Sequence, residues 1–305
     1  MTNRHPAVEA IPERPASLLA TFNDYLTMTK PPIVLLLLVT AAGGMFLAAR
    51  GLPSPLLMGL VWLGGALAAG GANAINHYLD RDIDQRMSRT RQRPVAGQRI
   101  SPNRALAFGI ALNVIAFAIL ITWTNPLAAL LTLSATLFYV FVYTGWLKRT
   151  TPQNIVIGGA AGAIPPLVGW AAVTGGLDLP AVYLFAIVFF WTPPHFWALS
   201  LLIKDDYAEA GIPMLPVVTT VEHTTRQIFF YTLALVGLTL MFAITPAVGL
   251  VYLGSALILG GGFLGMAWQL MRNYTRSSAK NLYLYSLLYL ALLFVAVMVD
   301  SMMHW

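Results

Sequence analysis

Asn76, Asp80 and Asp84 recur at i, i+4 and i+8. On a helix of about 3.6 residues per turn this spacing lays one amide and two carboxylates along a single face. Carboxylates one turn apart repel by roughly a few tenths of a kcal/mol, and a cation between them reverses that cost. Hard oxygen donors of this kind suit Mg²⁺, which keeps several waters and shares its shell with substrate phosphates. Arg86, Arg89, Arg91, Arg93 and Arg99 follow closely, and guanidinium forks match phosphate oxygens. Acids for a metal beside bases for phosphate describe a diphosphate site. The plainer reading is a membrane-side loop whose carboxylates balance its arginines.

A second acidic segment, KDDYAEAGIPMLPV at 204–217, sets Asp205 and Glu209 at i, i+4 with Asp206 beside them. Two such segments at one face of a bundle could hold two Mg²⁺ ions across one diphosphate. Between them YTGWLKR at 143–149 puts Tyr143 near a helix end and Lys148 within reach of a phosphate; taken alone, Lys148 reads as a snorkelling anchor. Tyr139 and Tyr143 either offer ring faces to a cation or simply pack. His195, in the run PPHFW, is an ionisable residue inside an apolar stretch. It has either an active-site role or a structural hydrogen bond, and Pro193 and Pro194 free backbone groups and bend its helix.

The elements that must position these residues are membrane helices. The 305 residues are 58% hydrophobic and only 10% charged, with mean hydropathy +0.71, unlike a soluble domain with about a quarter of its residues charged. With no cysteine, disulfides and thiolate metal sites are excluded. The net charge of +6 calls for no nucleic acid partner, since basic residues collect on cytoplasmic membrane loops. Nine apolar runs near the length of about 20 residues that crosses a bilayer fall at 31–50, 54–78, 103–123, 126–145, 154–174, 180–203, 226–247, 249–271 and 282–303. The expected fold is all-α: a polytopic membrane protein with nine transmembrane helices around a central cavity, forming one domain over 26–305 after a flexible tail at 1–25.

Charge orients the bundle. Of eighteen Lys and Arg residues, Arg50 alone falls in the odd-numbered connections, so the N-terminus is expected to be cytoplasmic and the C-terminus outside. Seven of the twelve acids lie in the two long cytoplasmic links, at 79–102 and 204–225. The tail lacks a long apolar core and does not read as a cleaved signal. Small residues at Gly64, Gly65, Gly70, Gly71, Gly158, Gly159 and Gly162 suit close helix packing.

The pattern Asn76-xxx-Asp80-xxx-Asp84 with Met87-x-Arg89-Thr90-x-x-Arg93-Pro94 resembles the first signature of the UbiA-type intramembrane prenyltransferases. YTGWLKR at 143–149, TPPHFWALSLLIKDDY at 192–207 and AGIPMLPV at 210–217 narrow the resemblance to the protohaem IX farnesyltransferase (haem O synthase) branch. It covers about residues 25 to 300. His77 departs from the broader family, which often has an acid there, as does the mixed set Asp205, Asp206 and Glu209.

The resemblance implies transfer of the farnesyl group of farnesyl diphosphate to a vinyl group of protohaem IX (haem B), with addition of water, giving haem O for terminal oxidases. It also implies Mg²⁺ as cofactor and the bacterial inner membrane as location, with the active cavity on the cytoplasmic side. Haem A synthase or terminal-oxidase assembly proteins are the protein partners to expect. Asn76, Asp80, Asp84, Asp205, Asp206 and Glu209 are then the metal set, and Arg89, Arg93 and Lys148 the diphosphate contacts. Asn76, Asp80, Asp84, Lys148 and Tyr143 are the catalytic group, and His195 is the haem candidate. The alternatives are a related prenyltransferase acting on a quinone or chlorophyll-like ring and, from another class, a secondary transporter.

Overall fold

The computed structural model describes residues 17–303. Most of the expected tail, residues 1–16, and the last two residues lie outside the described part. Within the described part of that stretch Leu18–Thr29 is a helix, with the Ser17 hydroxyl accepting the Ala20 N–H at its start, a serine N-cap.

Every regular element among the described residues is helical, and nine helices are long and apolar enough to cross a membrane: Pro31–Ala49, Pro55–Leu79, Pro102–Trp123, Pro126–Thr150, Asn154–Thr174, Leu179–Leu202, Val221–Ala243, Leu250–Arg272 and Arg276–Met303. They are called spans 1 to 9 below. Four spans begin on prolines, where the missing N–H costs nothing. Spans 7 and 9 start about a turn before their apolar runs, because a first turn rich in Glu222, His223 and Arg226, or in Arg276 and Lys280, is helical without being apolar. The Thr220 hydroxyl accepts the His223 N–H and fixes the start of span 7.

Small residues set the closest crossings. A Cβ at Gly71 would lie 2.6 Å from the Gly109 carbonyl oxygen, and one at Gly109 would lie 2.7 Å from that of Gly71. Spans 2 and 3 therefore touch backbone to backbone. Gly44 and Gly169 do the same for spans 1 and 5, where added Cβ atoms would meet the Pro166 and Ala41 carbonyls at 2.2 and 2.0 Å.

Span 4 is not regular. It runs as α-helix over Pro126–Leu137, as π-helix over Phe138–Leu147, and as one α-turn over Lys148–Thr150. Span 6 passes through Pro193 and Pro194 as one continuous helix, leaving the carbonyls of Phe189 and Phe190 without their usual i+4 donors. Both long links fold against the mouth of the bundle, the first through the helix Arg81–Arg86 and the second through Lys204–Glu209 and Leu215–Val218.

Candidate active site

Span 2 ends at Leu79, and Asp80 caps it at φ −90° and ψ 4° before Arg81–Arg86 begins. The helical register survives this joint: the Asp80 N–H donates to the Asn76 carbonyl at 2.9 Å and the Asp84 N–H to the Asp80 carbonyl at 2.7 Å. The i, i+4, i+8 row therefore holds across two helices. All three side chains are buried, Asp80 completely.

Buried carboxylates need compensation. Lys148 donates to Asp80 Oδ2 at 2.5 Å, and Arg93 reaches both oxygens of Asp84 at 2.9 Å. Asn76 donates its amide to Asp80 Oδ2 at 2.7 Å and to the Thr144 hydroxyl at 3.3 Å, while its own oxygen accepts from Lys30 at 3.1 Å. One atom is left over: Asp80 Oδ1 is buried and has no hydrogen bond, the Arg149 guanidinium standing 4.0 Å away. Arg149 is committed elsewhere, to both oxygens of Asp82 and to the Leu79 carbonyl, each at 2.8 Å. That fork holds the Asp82 carboxyl down to about 2.

The π-helix of span 4 explains how so many groups reach Asp80. Its i→i+5 bonding closes from the Lys148 N–H to the Tyr143 carbonyl, which brings Tyr143 and Lys148 onto one face. Tyr139 and Tyr143 stack with ring centroids 5.5 Å apart. Gly158 of span 5 makes room for Tyr143, since a Cβ there would lie 2.3 Å from its ring.

The second acidic segment meets the first at one residue. Asp206 accepts from the Ser88 hydroxyl at 2.8 Å and from the Arg89 backbone N–H at 3.4 Å. Asp205 and Glu209 are exposed on the same short helix, and the Arg89 guanidinium is at the surface. Tyr207, between the acids, is buried, and that burial raises its phenol, while Arg89 and Arg93 pull the other way. Among the described residues no three His, Asp or Glu side chains gather closely enough to hold a metal ion by themselves. The donor chemistry nonetheless fits a hard cation: an amide oxygen, the Asp84 carboxylate, and an Asp80 oxygen whose lack of a partner carries a desolvation cost of about 1–3 kcal/mol.

Lys30 escaped the sequence reading. It sits between the Leu18–Thr29 helix and span 1 with φ 53°, so its side chain turns back toward Asn76. Lost hydration of its ammonium, and then the fields of Arg93 and Lys148, lower it to about 7. The signal available was a lone lysine before Pro31 and Pro32 at the mouth of a span. Thr144, Tyr207 and Ser88 carried no signal of their own.

His195 lies in span 6, 8% exposed. Its Nδ1 is 2.7 Å from the Ser286 hydroxyl of span 9, and its ring stacks on Trp191 and Tyr283 with centroids at 4.2 and 5.0 Å. The structural hydrogen bond allowed for His195 is therefore present. His77 is buried with neither ring nitrogen bonded.

The sequence pattern of the UbiA prenyltransferase family matches residues 36–296. The chain belongs to the UbiA prenyltransferase family. Among its UbiA relatives, the protoheme IX farnesyltransferase of Gloeobacter violaceus is 53% identical over 285 residues, covering 93% of each chain. That of a Roseiflexus species is also 53% identical, over 277 residues; there the match takes in 91% of this chain and 52% of the relative, so the chain spans about half of that longer protein. The UbiA fold is shared with a digeranylgeranylglyceryl phosphate synthase, at TM-score 0.76 and 18% identity over 92% of this chain and 98% of that one. A UbiA homologue from Archaeoglobus fulgidus bound to GPP and Mg²⁺ follows at TM-score 0.65 and 18% identity, over 90% and 99%. Family membership sets the transporter alternative aside.

Proposed function

We propose that this chain is an Mg²⁺-dependent intramembrane prenyltransferase that moves the farnesyl group of farnesyl diphosphate onto a vinyl group of protohaem IX, with addition of water, to give haem O. The observation that carries the reading is the 53% identity across 93% of both chains with a protoheme IX farnesyltransferase. The site supplies a physical account of the step.

In the structure each acidic or amide group at the mouth of span 2 has a basic partner: Lys148 on Asp80, Arg93 on Asp84 and Lys30 on Asn76. A diphosphate offers these cations a better anion. With these cations turned to phosphate and Arg89 joining from the rim, oxygens of Asn76, Asp80 and Asp84 would be free to hold Mg²⁺, and Asp205, Asp206 and Glu209 of the second segment would complete the set. The bound ion supplies Lewis acidity toward the leaving diphosphate.

The C1–O electron pair of the donor departs with diphosphate, where Lys30, Lys148 and Arg93 stabilise the growing charge. The vinyl electron pair forms the new C–C bond, and the cation left beside the porphyrin takes a water oxygen and releases one proton. Tyr139 and Tyr143 shield the allylic cation through their ring faces and keep stray water from hydrolysing the donor.

The charge pattern supports a site at the cytoplasmic face, N-terminus inside and C-terminus outside, in what this reading takes to be a bacterial inner membrane. Haem A synthase or oxidase-assembly proteins are the expected recipients of the product. Purified protein given labelled farnesyl diphosphate, haem and Mg²⁺ is expected to yield haem carrying one farnesyl chain and one added water by mass. No labelled haem, or label transferred only to a quinone precursor, would overturn the proposal.

A further inference from the structure

Ser286 holds span 6 by two separate groups. Its carbonyl accepts the Trp191 indole N–H at 2.7 Å, and its hydroxyl lies 2.7 Å from His195 Nδ1. That hydroxyl also donates to the Tyr283 carbonyl at 2.6 Å. A serine hydroxyl has one proton to give. With that proton on the Tyr283 carbonyl, the oxygen meets His195 as an acceptor, so Nδ1 carries the ring hydrogen and Nε2 keeps its lone pair.

Trp191 and Tyr283 stack on the imidazole at interplanar angles of 17° and 27°, and Phe196 stands edge-on with its centroid at 6.1 Å, so approach to the ring is left to its Nε2 edge. Nε2 on that edge makes no hydrogen bond, and it is not sealed from accessible space as both nitrogens of His77 are. His195 stands seven residues before the end of span 6, about 10 Å along the helix axis from the end that leads into the second acidic segment. A neutral imidazole fixed by an Nδ1–H bond, with Nε2 bare, is the form in which histidine ligates metals.

Resting on the haem-farnesylation reading, we propose that His195 Nε2 binds the iron of the acceptor haem, and that Ser286 is the positioning residue that fixes the tautomer and plane of the ring. The porphyrin then lies across the Nε2 edge of the imidazole, on the side turned away from Ser286, with its orientation set by residues distant from the diphosphate contacts.

The test is a titration of full-length protein in detergent with haem alone, read by optical and resonance Raman spectra, beside turnover with farnesyl diphosphate. Wild type is expected to show an iron–imidazole stretch on reduction, and His195→Ala to lose it. Ser286→Ala is expected to weaken haem binding at least tenfold, the usual cost of losing a partner behind a ligand, and to shift that stretch. Ser286→Thr, which keeps the hydroxyl, restores both. The Trp191 bond uses the Ser286 backbone and survives all of these changes, and thermal unfolding of each variant separates misfolding from lost ligation. Farnesylated haem with identical haem spectra in wild type, His195→Ala and Ser286→Ala overturns this inference while sparing the farnesylation reading. Absence of farnesylated haem from wild type overturns that reading itself.

Discussion

The Lys148 ammonium stands 2.5 Å from Asp80 Oδ2, and Asp80 has no exposed surface. The span 4 cation is thus what permits a carboxylate at the foot of span 2. Removing one partner of a buried pair costs about 3–5 kcal/mol, whereas removing both is often neutral. Lys148→Met is expected to lower the unfolding midpoint and abolish farnesyl transfer. Asp80→Asn with Lys148→Met is expected to regain the midpoint and remain inactive. A double-mutant cycle on thermal unfolding and turnover reads both; additive losses of stability would refute the coupling.

Lys30 gives a pH dependence with a definite sign. Its value falls from 10.5 in the unfolded chain to about 7 in the ligand-free fold, through burial first and then through Arg93 and Lys148. Folding therefore sheds a proton between about pH 7 and 10.5, so this burial penalty is full below 7 and fades as pH rises. A diphosphate reverses the shift, so binding takes up protons above pH 7 and weakens as pH climbs. Calorimetry with inorganic diphosphate in EDTA, in buffers of different ionisation enthalpy, is expected to show that uptake. Lys30→Arg is expected to abolish it.

The two acidic segments differ in what they can lose. Asp80 is fully buried, whereas Asp205 and Glu209 are exposed. Chelation of divalent ions is expected to stop turnover reversibly. Glu209→Gln is expected to raise the Mg²⁺ needed for half activity severalfold with maximal rate largely kept. Asp80→Asn is expected to leave under a hundredth of the rate at any Mg²⁺ concentration. A titration of initial rate against Mg²⁺ distinguishes them, and an unchanged requirement in Glu209→Gln would remove it from the metal set.

Gly158 tests the seat of Tyr143. An added methyl there would press on the ring at 2.3 Å, while one at Gly162 would meet nothing within 4 Å. Overpacking of this kind costs about 1–3 kcal/mol. Gly158→Ala is expected to reduce turnover at least tenfold and to lower the unfolding midpoint, with Gly162→Ala silent in both assays.

The nine spans were legible because hydropathy over about 20 residues dominates any local preference, and the polar first turns of spans 7 and 9 were missed for the same reason. The row Asn76, Asp80 and Asp84 was legible because helical spacing survives the joint at Asp80. Lys30 was not, since its approach to Asn76 depends on a left-handed backbone angle between two helices. Nor was the wide turn in span 4: FYVFVYTGWL has no residue type that distinguishes i+5 bonding from i+4. The contact of Asp206 with Ser88 joins links 118 residues apart in sequence, and only tertiary packing produces it.

Because Tyr143 and Lys148 hang from the same five-residue loop of hydrogen bonds, the aromatic wall and the ammonium move as one body. A single-residue deletion within 138–147, by restoring ordinary pitch, would rotate one of them away and leave the other in place. Recognition of the hydrocarbon end and of the charged end of a donor is thereby tied to a single irregularity of the backbone, and neither can be retuned from span 4 without disturbing the other.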